Sequence, residues 1–219
     1  MKQGILNPWP QPDTHMAAFE TGENEQCVSQ LMQRESMWIH GPSGAGKTHL
    51  AQAQVAQQGG FYLSLSDGAL QPDVLEGLEA FSPLYLDNID QIAGDIAWEE
   101  ALFALWNACL DQQVSLICFA ARPVDGSSWV IPDLRSRMAQ LPQFSLKPLA
   151  ESDLRAALER RAKLIDLRLP GEVIEYLLRH HARSISQLAS LLTQLERASL
   201  QLKRPLTIPL IRQILGARD

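Results

Sequence analysis

The sequence predicts an α/β protein, an open parallel sheet with helices on both faces, followed by a small α-helical lid domain. Short apolar runs alternate with amphipathic helical patterns as far as about Pro148, the arrangement of strands and crossover helices in a parallel sheet. One apolar run leads directly into the glycine-rich stretch Gly41-Pro42-Ser43-Gly44-Ala45-Gly46-Lys47-Thr48. Beyond Pro148 only helical periodicity remains. The 219 residues suffice for one good core with a small satellite. The expected division is an arm over 1–16, an α/β domain over 17–147 and a helical domain over 148–219.

Met1 to Met16 contains prolines and little periodicity, so an extended, mobile arm is expected there. A helix over Gln26 to Gln33 precedes a strand at Ser36 to His40, then the glycine-rich loop and a helix reaching about Gln58. The breaker Gly59-Gly60 introduces a strand at Phe61 to Leu65, and a short helix is expected near Asp73 to Glu79. Pro83 to Asp90 reads as a buried strand ending in acids, Trp98 to Asp111 as an amphipathic helix, and Val114 to Ala120 as a fourth strand. In the terminal region, helices are expected at Ser152 to Ile165, Gly171 to His180, Ser184 to Leu202 and Ile208 to Leu215, with Ser152, Ser184 and Thr207 as cap or turn residues.

The glycine-rich stretch is a phosphate-binding loop. Its glycines let backbone amides approach the phosphates, and the helix that follows presents its positive end to them. Lys47 would reach the terminal phosphates and Thr48 the magnesium. Asp87 closes an apolar strand at the carboxyl end of the sheet, where it can hold magnesium directly or through water. The next residue, Asn88, offers an amide where fast ATPases usually carry an acid that activates water, so slow turnover by the chain itself is expected. Downstream, Pro132-Asp133-Leu134-Arg135-Ser136-Arg137 places two arginines on a helix end, and Arg137 is the candidate for a finger acting on a neighbour's nucleotide.

The net charge of −6 argues against a protein whose main task is gripping a phosphate backbone. Cys27, Cys109 and Cys118 show no metal-ligand spacing, and buried free thiols in a reducing cytoplasm are expected. No apolar run has the length of a membrane span, and the N-terminus lacks the apolar core of a signal peptide. Of the tryptophans, Trp38, Trp98 and Trp106 are expected in the core, whereas Trp9 and Trp129 are candidates for partner contacts. His180 and His181 read as a helix end at the surface.

Phe19-Glu20-Thr21-Gly22-Glu23-Asn24, Gly46-Lys47-Thr48-His49-Leu50, Leu86-Asp87-Asn88-Ile89, Arg137, Arg168-Leu169-Pro170-Gly171-Glu172-Val173 and Arg204-Pro205-Leu206-Thr207-Ile208-Pro209 follow one another in the order of a known family. In these motifs the chain resembles the AAA+ module of the DnaA family, and most nearly its shortened, Hda-like branch. The resemblance implies a P-loop AAA+ fold with a five-stranded parallel sheet, bound ADP or ATP with Mg2+, and adenine contacts near Phe19, Gly22 and Asn24. It also implies a regulatory role: with the DNA-loaded sliding clamp, Arg137 would act on the ATP of a DnaA initiator, promote its hydrolysis and prevent re-initiation of replication. Localisation would then be cytoplasmic, associated with nucleoid and replisome, with weak or no direct DNA binding and a homo-oligomer as an open reading.

Three positions depart from the family pattern. Ala121 replaces the polar sensor residue before Arg122-Pro123, and Ser186 stands where a lid arginine is expected, with Arg183 one turn earlier as a substitute. The clamp-binding peptide would be Gln3-Gly4-Ile5-Leu6-Asn7-Pro8, in which Gln3, Ile5 and Leu6 are the anchors. Two other readings stay open: a self-contained helicase-loader-type ATPase that uses its own hydrolysis, and an assembly adaptor carrying a structural nucleotide.

Overall fold

The computed structural model describes residues 21–180, 185–202 and 206–216. Five parallel strands form one sheet in the order β2-β3-β4-β1-β5. They are β1 (Met37–His40), β2 (Phe61–Ser64), β3 (Leu84–Asp87), β4 (Leu116–Ala120) and β5 (Gln143–Ser145). Helices α1 (Glu25–Leu31), α2 (Lys47–Gln58), α3 (Ile96–Asp111) and α4 (Pro132–Ala139) belong to this α/β unit. The strand order switches at β1, which pairs with β4 on one side and β5 on the other. A crevice for a ligand forms at such a switch point, outside the carboxyl ends of the strands.

Both faces of the sheet are covered, and side chains alternate between them with the period of two that strands impose. Trp38, Leu84, Leu86, Leu116, Cys118 and Ala120 join one core with Leu102, Leu105 and Trp106 of α3 and Leu134 and Met138 of α4. Met37, Ile39, Tyr85, Ile117 and Phe119 point the other way and pack with Cys27, Val28 and Leu31 of α1 and Leu50 and Ala51 of α2. The three cysteines are free and buried, as the sequence leads one to expect. Trp38 and Trp106 are core residues and Trp98 packs against the same cluster.

Trp129 corrects a sequence expectation. It is buried, with its ring edge-on to Trp38 at 6.3 Å between centroids, so it anchors the segment before α4 instead of marking a partner contact. The helix expected near Asp73 to Glu79 is two 3-10 turns, Pro72–Leu75 and Leu78–Ala80. Gly77 between them adopts φ +79°, a left-handed conformation that ends one turn before the next can begin. The strand expected up to Asp90 stops at Asp87, because Asn88 adopts φ 58° and turns the chain into a 3-10 turn at Ile89–Gln91. Trp9 and His181 lie outside the described residues, and His180 is exposed at a helix end.

The second unit contains α5 (Glu151–Leu164), α6 (Gly171–His180), α7 (Ile185–Leu202) and α8 (Ile208–Leu215). Leu158, Val173, Ile174, Leu177, Leu192, Leu195, Leu206 and Ile211 form its own apolar core. Ser152 does not cap α5: the cap position is Ala150, and Ser152 bonds Asp153 inside the first turn. Thr207 occupies the cap position of α8 without a side-chain cap bond, and Ser184 lies outside the described residues. No helix among the described residues is long and apolar enough to cross a membrane.

Candidate functional site

The phosphate loop connects β1 to α2 at the carboxyl edge of the sheet. Gly41 lies so near the segment after β5 that a Cβ would come within 2.3 Å of the Leu146 carbonyl oxygen, a separation no side chain tolerates. Gly44 and Gly46 adopt φ +83° and +97°, left-handed angles that curl the loop before α2 begins. Ala45 is buried under the loop, while Pro42 and Ser43 are exposed. His49 faces inward from the first turn of α2, half-buried.

Lys47 folds over the loop, its Nζ donating to the carbonyls of Gly41 at 2.6 Å and Pro42 at 3.0 Å. Burial lowers the basicity of this ammonium, while Asp87 and Asp90 oppose that shift. His40, at the end of β1, is pushed toward the neutral form by burial and by the charge of Lys47. Asp87 is fully buried, and its Oδ2 accepts hydrogen bonds from Thr48 Oγ1 at 2.6 Å and Tyr62 Oη at 3.0 Å. Burial first, then the Asp87 carboxylate, raise the Tyr62 phenol well above its ordinary range, so it stays a donor.

These residues suit a nucleotide with magnesium. Among the described residues no group of three or more His, Cys, Asp or Glu is gathered to hold a metal alone. A hydroxyl and one carboxylate within hydrogen-bond distance are instead the sparse kind of protein donor set that would suit a magnesium ion keeping its waters and leaning on phosphate oxygens.

Asn88 is turned away from that role, its Nδ2 donating to Ser64 Oγ on β2 at 3.0 Å. Sequence reasoning missed Asp90, on the following 3-10 turn, whose Oδ1 accepts the Ala121 N–H at 3.1 Å. The signal for it was weak, since an acid three residues beyond Asp87 reads as an ordinary turn residue.

Asn24 is buried, and both functions of its amide are used by Lys147: Nδ2 donates to the Lys147 carbonyl at 2.9 Å and Oδ1 accepts the Lys147 N–H at 2.7 Å. Gly22 presses on the helical unit, where a Cβ would meet Leu149 Cδ2 at 2.8 Å and Asp153 Oδ2 at 3.0 Å. Asn24 therefore ties the segment entering α1 to the connection between the two units. Asn24→Ala should destabilise the chain by about 2 kcal/mol, since it orphans a buried N–H and C=O; a midpoint equal to wild type in thermal melts would exclude this strut. Phe19, Arg183, Gln3, Ile5 and Leu6 lie outside the described residues, and Ser186 sits in the first turn of α7.

Arg137 is remote from the phosphate loop. It lies on the last turn of α4, before β5, which begins at the amino edge of the sheet. Its guanidinium sits 4.9 Å above the Phe103 ring and donates a hydrogen bond to Asn107 Oδ1, both on α3. Arg135, by contrast, is exposed and paired with Asp125 at 3.0 Å. The segment leading into α4 hangs on Glu99, a buried carboxylate that accepts from the backbone N–H of Gly94 at 2.8 Å, Val130 at 2.9 Å and Ile131 at 2.7 Å. Glu99 also escaped sequence reasoning, although its place on the face of α3 shared by Leu102 and Trp106 marks it as an acid among apolar neighbours.

Residues 151–215 match the family model of the Hda lid domain. Domain III of the replication initiation protein DnaA from Thermotoga maritima is similar in structure, with TM-score 0.75 and 17% identity, over 94% of this chain and 97% of that one. AMPPCP-bound DnaA from Aquifex aeolicus gives TM-score 0.68 and 20% identity over 90% of this chain and 69% of that one. The RuvB Holliday junction branch migration motor of Thermotoga maritima shares the fold at TM-score 0.63 and 15% identity, over 91% and 72% of the two chains.

Proposed function

We propose that the chain, whose residues 151–215 match the Hda lid domain and whose fold is shared with domain III of DnaA, is an AAA+ protein of the DnaA and Hda family that binds adenine nucleotide and acts in trans on a DnaA initiator. Lys47 and the backbone N–H groups that the loop offers between Ser43 and Thr48 would hold the phosphates. Thr48 and Asp87 would hold Mg2+, which offsets phosphate charge when bound. Asn24 and Gly22 would shape the adenine side through their grip on the connection at Lys147 to Asp153. Hydrolysis by the chain itself is expected to be weak, because the Asn88 amide is directed to Ser64 and position 121 carries no polar side chain.

The observation that carries the trans-acting role is the position of Arg137. It lies at the opposite edge of the sheet from its own phosphate loop, on a face formed by α3 and α4, with its cation presented over an aromatic ring. An arginine on that face suits a nucleotide bound to a neighbour, where it would offset charge as the bond to the terminal phosphate breaks. The N-terminal arm with Gln3, Ile5 and Leu6 would dock on the sliding clamp and bring the chain to DNA-bound initiator.

The test is ATP hydrolysis by DnaA of the same organism, with DNA-loaded sliding clamp, with and without this chain. Stimulation that also requires the clamp is the expected result. Absence of stimulation, together with ATP turnover by the chain alone, would overturn the reading in favour of a helicase-loader-type ATPase.

A further inference from the structure

Charge is divided unevenly along the chain: residues 1–147 hold 7 lysines and arginines against 17 acids, whereas residues 148–219 hold 12 against 8. The helical unit is thus basic within an acidic protein, and it carries a groove of about 470 Å³ between the end of α5 and the start of α6. Ala162 and Ile174 are buried in the floor, with Leu167 and Leu169 half-buried beside them. Leu164, on the last turn of α5, is 61% exposed and adds an uncovered apolar side chain there. The backbone fixes the connection between the helices. The Leu167 N–H donates to the Ala162 carbonyl at 2.8 Å across a left-handed Asp166 at φ 52°, and the Val173 N–H donates to the Pro170 carbonyl at 2.9 Å. On the rim, Glu159 is held by Arg155 at 3.1 Å. Lys163 and Arg168, also on the rim, are exposed, and among the described residues their side chains make no ion pair or hydrogen bond.

We propose that this groove is a docking site for a peptide segment of a partner protein, one in which a bulky apolar side chain is flanked by carboxylates. Its volume falls in the range of small binding sites, about 300–1,000 Å³, and it combines an apolar floor with a few charged groups at the edge, as such sites do. The charges decide the ligand. With Glu159 neutralised by Arg155, Lys163 and Arg168 outweigh Asp166, and the positive end of α6 at Gly171 adds to them. An apolar anchor would leave water for the floor while its neighbouring carboxylates met the two cations. A nucleic-acid backbone suits the groove less well, because its evenly spaced phosphates call for a row of cations, whereas here the cations border an apolar hollow. The groove shares no residue with the phosphate loop, so the proposal stands apart from what that loop binds.

Fluorescence anisotropy of the full chain tests this with a labelled synthetic peptide, Leu-Phe flanked on each side by Asp-Glu-Asp, and a control in which lysines replace the acids. Two variants probe the groove by different means. Lys163→Glu with Arg168→Glu reverses the rim charge. Gly171→Leu fills the space: a Cβ at 171 meets no atom within 4 Å, and leucine favours the helix more than glycine does, so the fold is kept. The expected result is saturable binding of the acidic peptide by wild type that weakens as salt rises, falls about tenfold or more in each variant, and is absent for the lysine control. No saturable binding by wild type, equal binding of the control, or wild-type affinity in both variants overturns the proposal. A DNA duplex that binds more tightly than the peptide and is lost in the charge-reversed variant also overturns it, assigning the cations to nucleic acid.

Discussion

Arg137→Ala is expected to lower the stimulated rate of ATP hydrolysis on the partner by about a thousandfold, the low end of what a trans-acting arginine contributes. Fold and ADP affinity should hardly change. In its own chain the guanidinium donates to Asn107 and lies over Phe103, half-exposed contacts whose loss costs about 1 kcal/mol or less. Arg137→Lys separates charge from geometry: a lysine keeps the cation but lacks the planar fork that meets a phosphoryl group with paired donors, so only a small fraction of the stimulation should return. Stimulation by Arg137→Ala equal to wild type, in a protein that melts normally and binds ADP, would leave the adaptor reading standing.

The parts of the chain legible in the sequence are those where one residue type has one physical use. Glycines at 41, 44 and 46, followed by Lys47 and Thr48, admit few structures other than a loop wrapped around phosphate, and the loop lies between β1 and α2 as expected. Long apolar periodicities, such as α3 and β4, were also recoverable, although their ends moved by a residue or two. β5 shows the limit. Gln143–Ser145 is three residues long at the sheet edge, with Phe144 alone packed against the core, so it exists through pairing with β1 and leaves no pattern to read. Asn24, Asp90 and Glu99 were opaque for a related reason. Each side chain bonds a backbone group distant in sequence, and nothing local in the sequence records such a partner.

Glu99→Ala should have the largest effect on stability of the substitutions considered, about 3–4 kcal/mol, and should also weaken the stimulation ascribed to Arg137. The carboxylate is fully buried and accepts the N–H groups of Gly94, Val130 and Ile131, so it joins the turn before α3 to the entrance of α4. Alanine leaves three donors without their carboxylate partner, and each orphan costs about 1–3 kcal/mol before relaxation. Asp95 still caps α3 through the Ala97 and Trp98 N–H groups, so the helix itself should form. The damage falls on residues 128–131, held on one side by Trp129 against Trp38 and on the other by Glu99. With one support gone, α4 loses its fixed start and Arg137 its alignment with Asn107 and Phe103. Denaturant melts together with nucleotide titration check this: reduced stability with ADP affinity preserved locates the effect in the α3–α4 face, whereas an unchanged melt would show that Glu99 carries no structural weight.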